Sequence, residues 1–485
     1  MASKGKSIRC GSSSSGSAIQ ARLLGSLLGS SLSQDTIDLS FRDPSVVTAL
    51  WRGAGRVLRI RVEKKKSEID GIGGGEWCSS SSSSMDLPAH LPSTLIVKAI
   101  DSKAKLTSVQ VDSYRVEQSF YENFSDDLDV AIPSCYLFGE NDTSSSDGTS
   151  ATSSATAIKK RHAGRKTKKR KGKRKGGGGR GSDGVAEEDD GFSFESSAAW
   201  RFYSVLGDLS TRFPLQVEDV SLPQARACLS WMARFHGRFM GLDGCADAAA
   251  NGSRDFDRLR GLWRSGTFWT LDRRRSELAQ MQRTYETEFA RRVAREYPSL
   301  KNNIGVANLA KRLRACAELL HGRLSVRHAK NRPSHFTICH GDMKGANIKL
   351  RLVELPEGAK TKGEAQYEAA VLDWQWTGGG LGARDLAYFF ISAVDPAYGE
   401  KFEMDLLRAY YDERKAIVTK RFRTGRLGKL PKKDAIQSWD DFVEVYECAL
   451  CDFMRWLCGY GLWGGPAEKW SLTRVSEILT RRGWG

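Results

Sequence analysis

Short runs in which apolar and polar residues alternate mark the first part of the chain. In RVLRIRVE, Leu58, Ile60 and Val62 alternate with charged residues, which is typical of a half-buried strand. Three further apolar runs have the length of a strand and are bounded by turn-forming residues: STLIVKAI, IPSCYLFG and WRFYSVLGDL. This part of the chain is therefore predicted to be rich in β-structure.

Apolar residues at helical spacing appear once among these strands, in VDSYRVEQSFYENF, and then dominate from about residue 221 onwards. Ser221 and Gln224 have the spacing of a capping box, which predicts that a helix begins there. Residues 271–297 and 307–320 each carry an apolar stripe and each predict one helix. Strands with one helix first, and helices afterwards, predict an α+β chain with two lobes.

Two segments have a composition that does not favour folding. Residues 67–92 are rich in Gly, Ser and Pro, and residues 140–192 run from a Ser/Thr tract through a basic run to acidic residues. Such segments bury too little apolar surface to offset the entropy of the chain, so both are predicted to be disordered insertions. The second is expected to lie in a turn between two strands, with a domain boundary as the alternative.

The predicted organisation has three parts. Residues 1–18 form a disordered tail, residues 19–220 form a small β-rich N-lobe, and residues 221–485 form a larger helical C-lobe.

The net charge of +17 invites a nucleic-acid interpretation, but it comes mostly from one place. The 12 Lys and Arg residues of 159–175 leave a charge of only +5 for the rest of the chain. This basic tract is read either as a solvated linker or as a contact for a polyanion or an import receptor. No apolar run approaches the ~18–20 residues of a membrane helix, so no membrane contact is expected.

The cysteines and the N-terminus bear on the compartment. Ten cysteines without a framework indicate a reduced, intracellular protein, and Cys448 and Cys451 on a helical stripe are read as small core residues. We expect a cytoplasmic location, with nuclear accumulation through the basic tract as the alternative. The first 34 residues, basic and serine-rich, also resemble a transit peptide, but organelle targeting is the less favoured interpretation.

The stretch TICHGDMKGANIKL concentrates polar residues in a way that a folding core does not require. Asp342 precedes Asn347 by five residues, which is the spacing between the catalytic Asp and the metal-binding Asn of kinases. Lys344 can reach back to the transferred phosphate. Asp373 follows a strand 31 residues after Asp342, which leaves room for a two-stranded hairpin, and supplies a second metal carboxylate.

The residues expected to hold the phosphates of ATP lie upstream. Lys98 in LIVKAI has the place of the strand lysine of kinases, and Glu117 on the next helix is expected to fix it, with Glu122 as a reserve. Gly53 and Gly55 can form a tight turn over the phosphates, although two glycines alone are weak evidence.

In these residues the chain resembles the aminoglycoside phosphotransferase and choline kinase superfamily. HGDMKGAN followed by DWQ is similar to the HGDxxxxN and D-x-Q motifs of that superfamily. VEQSFYE, IPSCY, VLGDL and MARFHGRF are similar to motifs of its ecdysteroid kinase-like (CHK kinase-like) branch. The resemblance covers about residues 35–465 apart from the insertions, and it implies a protein-kinase-like bilobal fold. In such a fold the N-lobe, residues 19–220, is expected to bind the nucleotide, and the C-lobe, residues 221–485, to carry the catalytic loop and the acceptor site.

The resemblance also implies roles for single residues. It makes Asp342 the catalytic base, and Asn347 and Asp373 ligands of Mg²⁺. It makes Lys98 a ligand of the ATP phosphates that Glu117 orients. It further implies that His340 braces the loop.

Asp208 lies in the hinge motif VLGDL, where backbone groups are expected to hold adenine. Two residues depart from the pattern of the branch. Gly207 stands where Glu is frequent, and Trp374 replaces the commoner Phe. Gly207 is not expected to abolish adenine binding, because backbone groups hold the base, and the bulky apolar replacement at Trp374 is expected to be tolerated.

Other polar residues have simpler interpretations. Asp385 is expected to cap a helix and to brace the loop, and His236 to be a satisfied core histidine. The glycines 378–380 are expected to form a flexible turn.

The sequence thus favours an ATP- and Mg²⁺-dependent kinase that phosphorylates a hydroxyl of a small molecule. A protein kinase is the first alternative, but HGD replaces HRD, DWQ replaces DFG, and no APE motif follows. A non-catalytic protein that binds nucleotide or nucleic acid through the basic tract is the second. The acceptor and the oligomeric state cannot be read from the sequence.

Overall fold

The structure, a computed structural model, describes most of the chain outside its low-complexity segments. The described residues are 39–49, 54–64, 93–140, 155–156, 200–240, 259, 261–284, 290–325, 335–354, 365–424, 437–461 and 466–485. Gly53, the tail 1–18, the insertion 67–92 and the basic tract 159–175 lie outside them, as does nearly all of 140–192. The predictions made for those segments remain predictions.

One sheet of six strands holds the predicted β-structure. Its strands are β1 (Leu39–Ala49), β2 (Gly55–Lys64), β3 (Thr94–Asp101), β4 (Cys135–Glu140), β5 (Ala155–Thr156) and β6 (Trp200–Gly207). They lie in the order β1-β2-β3-β6-β4-β5, and each neighbouring pair is antiparallel. Leu58, Ile60 and Val62 are buried while Arg61 between them is exposed, so the alternation predicted for β2 is confirmed.

The strands on either side of the longer insertion are direct neighbours. β4 ends at Glu140 and β6 begins at Trp200, and the two pair antiparallel, with Phe138 opposite Ser204. The sequence between them therefore connects two adjacent strands of one sheet. It does not separate two domains.

The rest of the described chain is mainly helical. The helices are α1 (Ser108–Asn123), α2 (Leu222–Phe239), α3 (Arg275–Thr284), α4 (Ala290–Glu296), α5 (Ile304–Ala307), α6 (Leu309–Ala315), α7 (Ala317–Leu324), α8 (Ala383–Ser392), α9 (Pro396–Arg423), α10 (Trp439–Tyr460) and α11 (Pro466–Arg482). Two short antiparallel pairs accompany them: β7 (Thr337–Cys339) with β10 (Gly378–Gly380), and β8 (Ile348–Leu352) with β9 (Tyr367–Val371).

The chain divides into two compact units. The first comprises residues 1–105 and 135–207 and contains the six-stranded sheet; the second comprises residues 106–134 and 208–485 and contains every helix from α1 to α11. The predicted α+β class, with a smaller β-rich part and a larger helical part, is confirmed. Helix α1 groups with the helical unit, whereas the sequence predicts that it belongs to the N-lobe, residues 19–220.

Helix boundaries follow local signals in several places. Gln224 Oε1 accepts the backbone N–H of Ser221 at 2.9 Å, so the predicted capping box at the start of α2 is present. The single helix predicted over 307–320 is wrong, because the backbone leaves helical geometry at Cys316, between α6 and α7. Of the helix predicted over 271–297, the structure describes α3 and α4, while residues 285–289 lie outside the described ranges.

The flexible turn predicted for residues 378–380 is also wrong. These glycines form β10, and they pack against another backbone segment. A Cβ atom on Gly378 would lie 2.3 Å from the carbonyl oxygen of Trp263, and one on Gly379 would lie 2.5 Å from the ring of Phe336. The glycines are needed because only they allow this close approach.

Helix α10 lies at the centre of the helical unit. It is buried over nearly its whole length and packs against α3, α7, α8 and α11. Cys448 and Cys451 are fully buried on it, as expected for core residues, and burial raises the pKa of the Cys448 thiol to about 12. None of the helices in the described ranges is long and apolar enough to span a bilayer.

The pairing of β4 with β6 yields a prediction. Replacing residues 157–196 with a short Gly/Ser linker should leave cooperative unfolding intact, because loop-closure entropy changes by only about 1–2 kcal/mol on this shortening. Thermal unfolding followed by circular dichroism measures this. Val205→Asp, which places a charge in the buried centre of β6, is the destabilising control. Loss of cooperative unfolding in the shortened chain would show instead that the segment contributes to the fold.

Candidate functional site

The loop between β7 and β8 carries the residues that the sequence singles out. It begins at His340, directly after β7, and ends in a short 3-10 turn, Gly345–Asn347, which leads into β8. Gly341 has a φ of +89°, and a Cβ atom there would lie 2.1 Å from the carbonyl oxygen of Trp376. Only glycine fits this backbone and this approach, so Gly341 fixes the path of the loop.

A buried carboxylate holds the start of the loop. Asp385, in the first turn of α8, accepts the backbone N–H of His340 at 2.7 Å through Oδ2 and that of Gly341 at 2.8 Å through Oδ1. His236 on α2 also contacts Oδ2, at 3.0 Å, and Tyr410 on α9 contacts the other nitrogen of His236 at 2.7 Å. Asp385 therefore braces the loop, as expected. It does not cap the helix, because the N-cap position is Gly382, which has no side-chain bond.

His340 holds the loop from the inside. Its Nε2 lies 3.1 Å from the carbonyl oxygen of Leu372, which can only accept, and its Nδ1 lies 3.2 Å from the N–H of Asp342, which can only donate. These partners fix the proton on Nε2. Burial lowers the pKa of His340, so the ring is neutral at neutral pH. His340 positions Asp342 and the strand before Asp373, in agreement with its predicted role.

Asp342 is 4% exposed and presents two unlike oxygens. Its Oδ2 accepts hydrogen bonds from Lys344 Nζ at 2.8 Å and from Asn347 Nδ2 at 3.0 Å. Its Oδ1 is buried, and no residue in the described ranges donates to it. The carboxylate is thus held through one oxygen, while the other keeps its lone pairs for a proton donor.

Asn347 points its amide nitrogen at Asp342. Nδ2 donates to both the backbone oxygen of Asp342, at 2.9 Å, and its carboxylate. The amide oxygen is therefore the atom that Asn347 can offer to a cation. The predicted juxtaposition of Asp342, Lys344 and Asn347 is present in the structure.

Asp373 lies two residues after β9 and has a φ of +71°, which is uncommon for a residue with a side chain. The hairpin of β8 and β9 spans the interval between Asn347 and Asp373, as predicted. The N–H of Leu372 donates to the oxygen of Asn347 at 3.0 Å, which ties the two segments together. Such backbone strain persists only where the surroundings enforce it, and it is frequent at functional sites.

Trp374 anchors this strained turn. Its ring is fully buried and stacks on Phe120 of α1, with the ring centroids 3.7 Å apart and the planes at 10°. The backbone N–H of Trp374 points at Glu117 Oε1 at 3.4 Å. Helix α1 therefore packs directly on the segment that carries Asp373. The bulky replacement at this position is accommodated in the core.

The donor set suits magnesium. Mg²⁺ takes oxygen ligands and is usually held by one or two protein groups together with phosphate oxygens and water. Asn347 and Asp373 offer an amide and a carboxylate oxygen on connected segments. No group of three or more His, Cys, Asp or Glu side chains in the described chain could hold a metal by itself. The residues fit a metal that arrives with a phosphate rather than a preformed metal cage.

The predicted nucleotide-binding residues are placed as follows. Lys98 lies half-buried on β3, opposite Val57 of β2 and Ser204 of β6, in the first unit. Gly55 begins β2, where a Cβ atom would lie 2.1 Å from the carbonyl oxygen of Ala99, so close strand packing alone requires glycine there.

Three further residues were assigned from the sequence. Asp208 caps a 3-10 turn by accepting the N–H of Ser210 at 2.9 Å. Glu117 is buried on α1, whereas Glu122 is exposed and accepts a hydrogen bond from Gln118. The roles of Lys98, Gly55, Asp208 and Glu117 toward a nucleotide stay predictions.

One neighbour of Asp342, Tyr388, was not predicted from the sequence to belong to the site. Tyr388 of α8 is buried, and burial together with the neighbouring charges of Asp342 and Asp373 raises its pKa well above the ordinary value. Its hydroxyl therefore stays protonated beside both carboxylates. Tyr388 follows Asp385 by three residues, and that helical spacing was the available signal.

One comparison with known proteins covers both the loop and the DWQ segment. The model of the ecdysteroid kinase-like family matches residues 213–420. A microcompartment-associated aminopropanol kinase is 12% identical, with 96% of this chain and 99% of that chain covered and a TM-score of 0.33. A thermostable mutant of an aminoglycoside phosphotransferase, in complex with ADP and hygromycin B, is 11% identical. The match covers 92% of this chain and 96% of that chain, with a TM-score of 0.31. No curated protein matches this chain.

The brace at Asp385 can be tested by stability. Asp385→Ala should lower the free energy of unfolding by about 3–5 kcal/mol, because it leaves two backbone N–H groups and His236 buried without their acceptor. Asp395→Ala is the matched control, since Asp395 caps α9 through one bond to Ala397 and should cost about 1 kcal/mol. Urea unfolding measures both. Equal losses in the two variants would contradict the bracing role.

Proposed function

We propose that the chain is an ATP-dependent phosphotransferase that phosphorylates a hydroxyl group of a small molecule. The match of residues 213–420 to the model of the ecdysteroid kinase-like family supports this proposal. The observation that carries the proposal is the Asp342 carboxylate, buried and held through Oδ2, with Oδ1 left without a donor. A general base needs this arrangement, in which one oxygen is fixed and the other can accept a proton.

In the proposed reaction, the hydroxyl oxygen of the acceptor attacks the γ-phosphorus of ATP. The bond between that phosphorus and the bridging oxygen of ADP breaks, and the hydroxyl proton passes to Asp342 Oδ1. The products are ADP and a phosphate monoester. Because phosphoryl transfer involves little covalent chemistry by the protein, positioning and charge account for most of the catalysis.

Lys344 has two roles in this proposal. Its ammonium lies 2.8 Å from Asp342 Oδ2 and is partly exposed, so it orients the carboxylate and can also contact an incoming phosphate. Asn347 and Asp373 would hold Mg²⁺, which neutralises the charge on the phosphate oxygens when bound. His340, neutral and buried, keeps the backbone of Asp342 in place.

The base is tested by Asp342→Asn. The amide cannot accept the proton, so kcat should fall by about 10²–10⁴-fold while the KM for ATP changes little. Magnesium-dependent release of ADP, measured across a panel of hydroxylated small molecules, is the assay. Asp412→Asn is the matched control, because Asp412 lies exposed on α9 in an ion pair with Arg408. Undiminished turnover in Asp342→Asn would remove Asp342 from the mechanism.

The metal ligands are tested by Asn347→Ala and Asp373→Ala. Each variant loses one oxygen ligand, so each should need at least about 10-fold more Mg²⁺ for half-maximal ADP release. Asn303→Ala is the control, since Asn303 only caps α5. Magnesium titrations that superimpose on the wild-type curve would count against both assignments.

A further inference from the structure

A surface of aromatic rings begins at the catalytic loop. The ring of Tyr388, whose hydroxyl lies beside Asp342, packs on Phe268 with a centroid distance of 5.9 Å. Phe268 packs on Trp376 at 5.7 Å, and Trp376 stacks on Trp263 at 5.8 Å. Tyr388 is buried, whereas Phe268, Trp376 and Trp263 are half-buried. The contacts therefore lead from the base to a half-buried aromatic face.

The backbone fixes this face to the metal-binding segment. The indole N–H of Trp263 donates to the oxygen of Gln375 at 2.7 Å, and the N–H of Thr267 donates to the oxygen of Trp376 at 3.1 Å. Thr267 has a φ of +74°, which is a rare conformation for a β-branched residue. The strained backbone of Thr267 directly precedes Phe268 and lies next to the loop that carries Asp342, and such strain is frequent at functional sites.

Arginine occupies the place that a cationic ligand would take on this face. The guanidinium of Arg273 lies over Trp263, 4.2 Å from the ring centroid, and 5.7 Å from that of Trp376. Tryptophan faces attract cations, and ammonium ligands are recognised in this way. In this protein the guanidinium of Arg273 already occupies the faces of Trp263 and Trp376. A cationic ligand would therefore find this position taken and would be repelled by the charge of Arg273.

Neither arginine at this face donates a hydrogen bond to a carboxylate in the described ranges. In the described part of the chain, Arg273 and Arg384 donate to neutral oxygens of Ser265, at 3.0 and 2.7 Å, and Arg384 also to that of Leu324. The Nε atoms of both arginines are buried without a hydrogen-bond partner. The neighbouring carboxylate, Asp272, acts on Arg273 only through its charge, which raises the pKa of that arginine, and it forms its contacts with Arg275 and His321.

Burial and the like charges of Arg274 and Arg384 lower the pKa of Arg273 to about 10. Arg273 stays protonated at neutral pH even so. The electrostatics of this face therefore favour a negative group.

We propose that Phe268, Trp376 and Arg273 form the acceptor subsite, and that it takes a planar hydroxylated anion. The ring of the acceptor lies on the aromatic face with its hydroxyl toward Asp342, and its carboxylate or a similar group lies on Arg273. This inference rests on the proposed function. It excludes ammonium-bearing alcohols as preferred acceptors.

Binding of three matched probes to the full chain tests this subsite. A hydroxynaphthoate carries a planar ring, a hydroxyl and a carboxylate; naphthol lacks the carboxylate; an aminomethyl naphthol replaces it with an ammonium. By isothermal titration calorimetry, the naphthoate should bind at least about 10-fold more tightly than the aminomethyl compound, since a charge-assisted pair replaces a like-charge contact.

Two variants locate the effect. Arg273→Met keeps an apolar stem and removes the charge, and it should weaken naphthoate binding about 10-fold while changing naphthol binding by less than about threefold. Arg275→Met removes the same charge two residues away, where Arg275 is exposed and paired with Glu318, and should change neither. Thermal unfolding establishes that both variants are folded, and Arg273→Lys should retain part of the preference.

The outcomes separate the inference from the function it rests on. Equal or tighter binding of the ammonium probe, or a naphthoate affinity that Arg273→Met leaves unchanged, overturns the subsite. A raised KM for ATP in Arg273→Met, without an effect on the probes, would assign Arg273 to the nucleotide and would also overturn it. If ADP release fails with every acceptor while the probe preference holds, the proposed function fails and the anion subsite stands.

Discussion

The site depends on Asp385, whose carboxylate accepts hydrogen bonds from two backbone N–H groups of the loop. Both carboxylate oxygens are used on consecutive residues, His340 and Gly341, so the loop cannot rotate without losing two buried hydrogen bonds. His236 closes the other side of Oδ2. A buried carboxylate with three partners is stable only when all are present, which makes the position of the loop nearly all-or-none.

Helix α8 links the position of this loop to the other residues of the candidate site. Asp385 holds the start of the loop, Tyr388 one turn later lies beside Asp342, and Arg384 donates to Ser265 in the segment that precedes Phe268. One short, almost fully buried helix thus contacts the loop, Asp342 and the aromatic face. The geometry at Asp342 and the shape of the proposed acceptor subsite therefore depend on the same element, and a displacement of α8 would alter both.

Much of the site could be predicted from residue spacing. The spacing of five positions from Asp342 to Asn347 allows a single turn to bring the amide onto the carboxylate, and the hairpin before Asp373 needs two strands of ordinary length. The glycines 378–380 were misread because glycine indicates a turn by default. They form a strand because Trp263 and Phe336 approach their backbone, and this depends on residues distant in sequence.

The sequence by itself determined the local elements: the alternation that makes β2, the capping box that begins α2, and the spacing that joins Asp342, Lys344 and Asn347. These depend on residues within one turn or one strand, whose geometry is nearly fixed by the covalent chain. Only the tertiary structure decided that Asp385 braces the loop, that α1 packs on Trp374, and that Arg273 covers two tryptophans. Such contacts join segments far apart in the chain, and no local periodicity encodes which buried groups will meet.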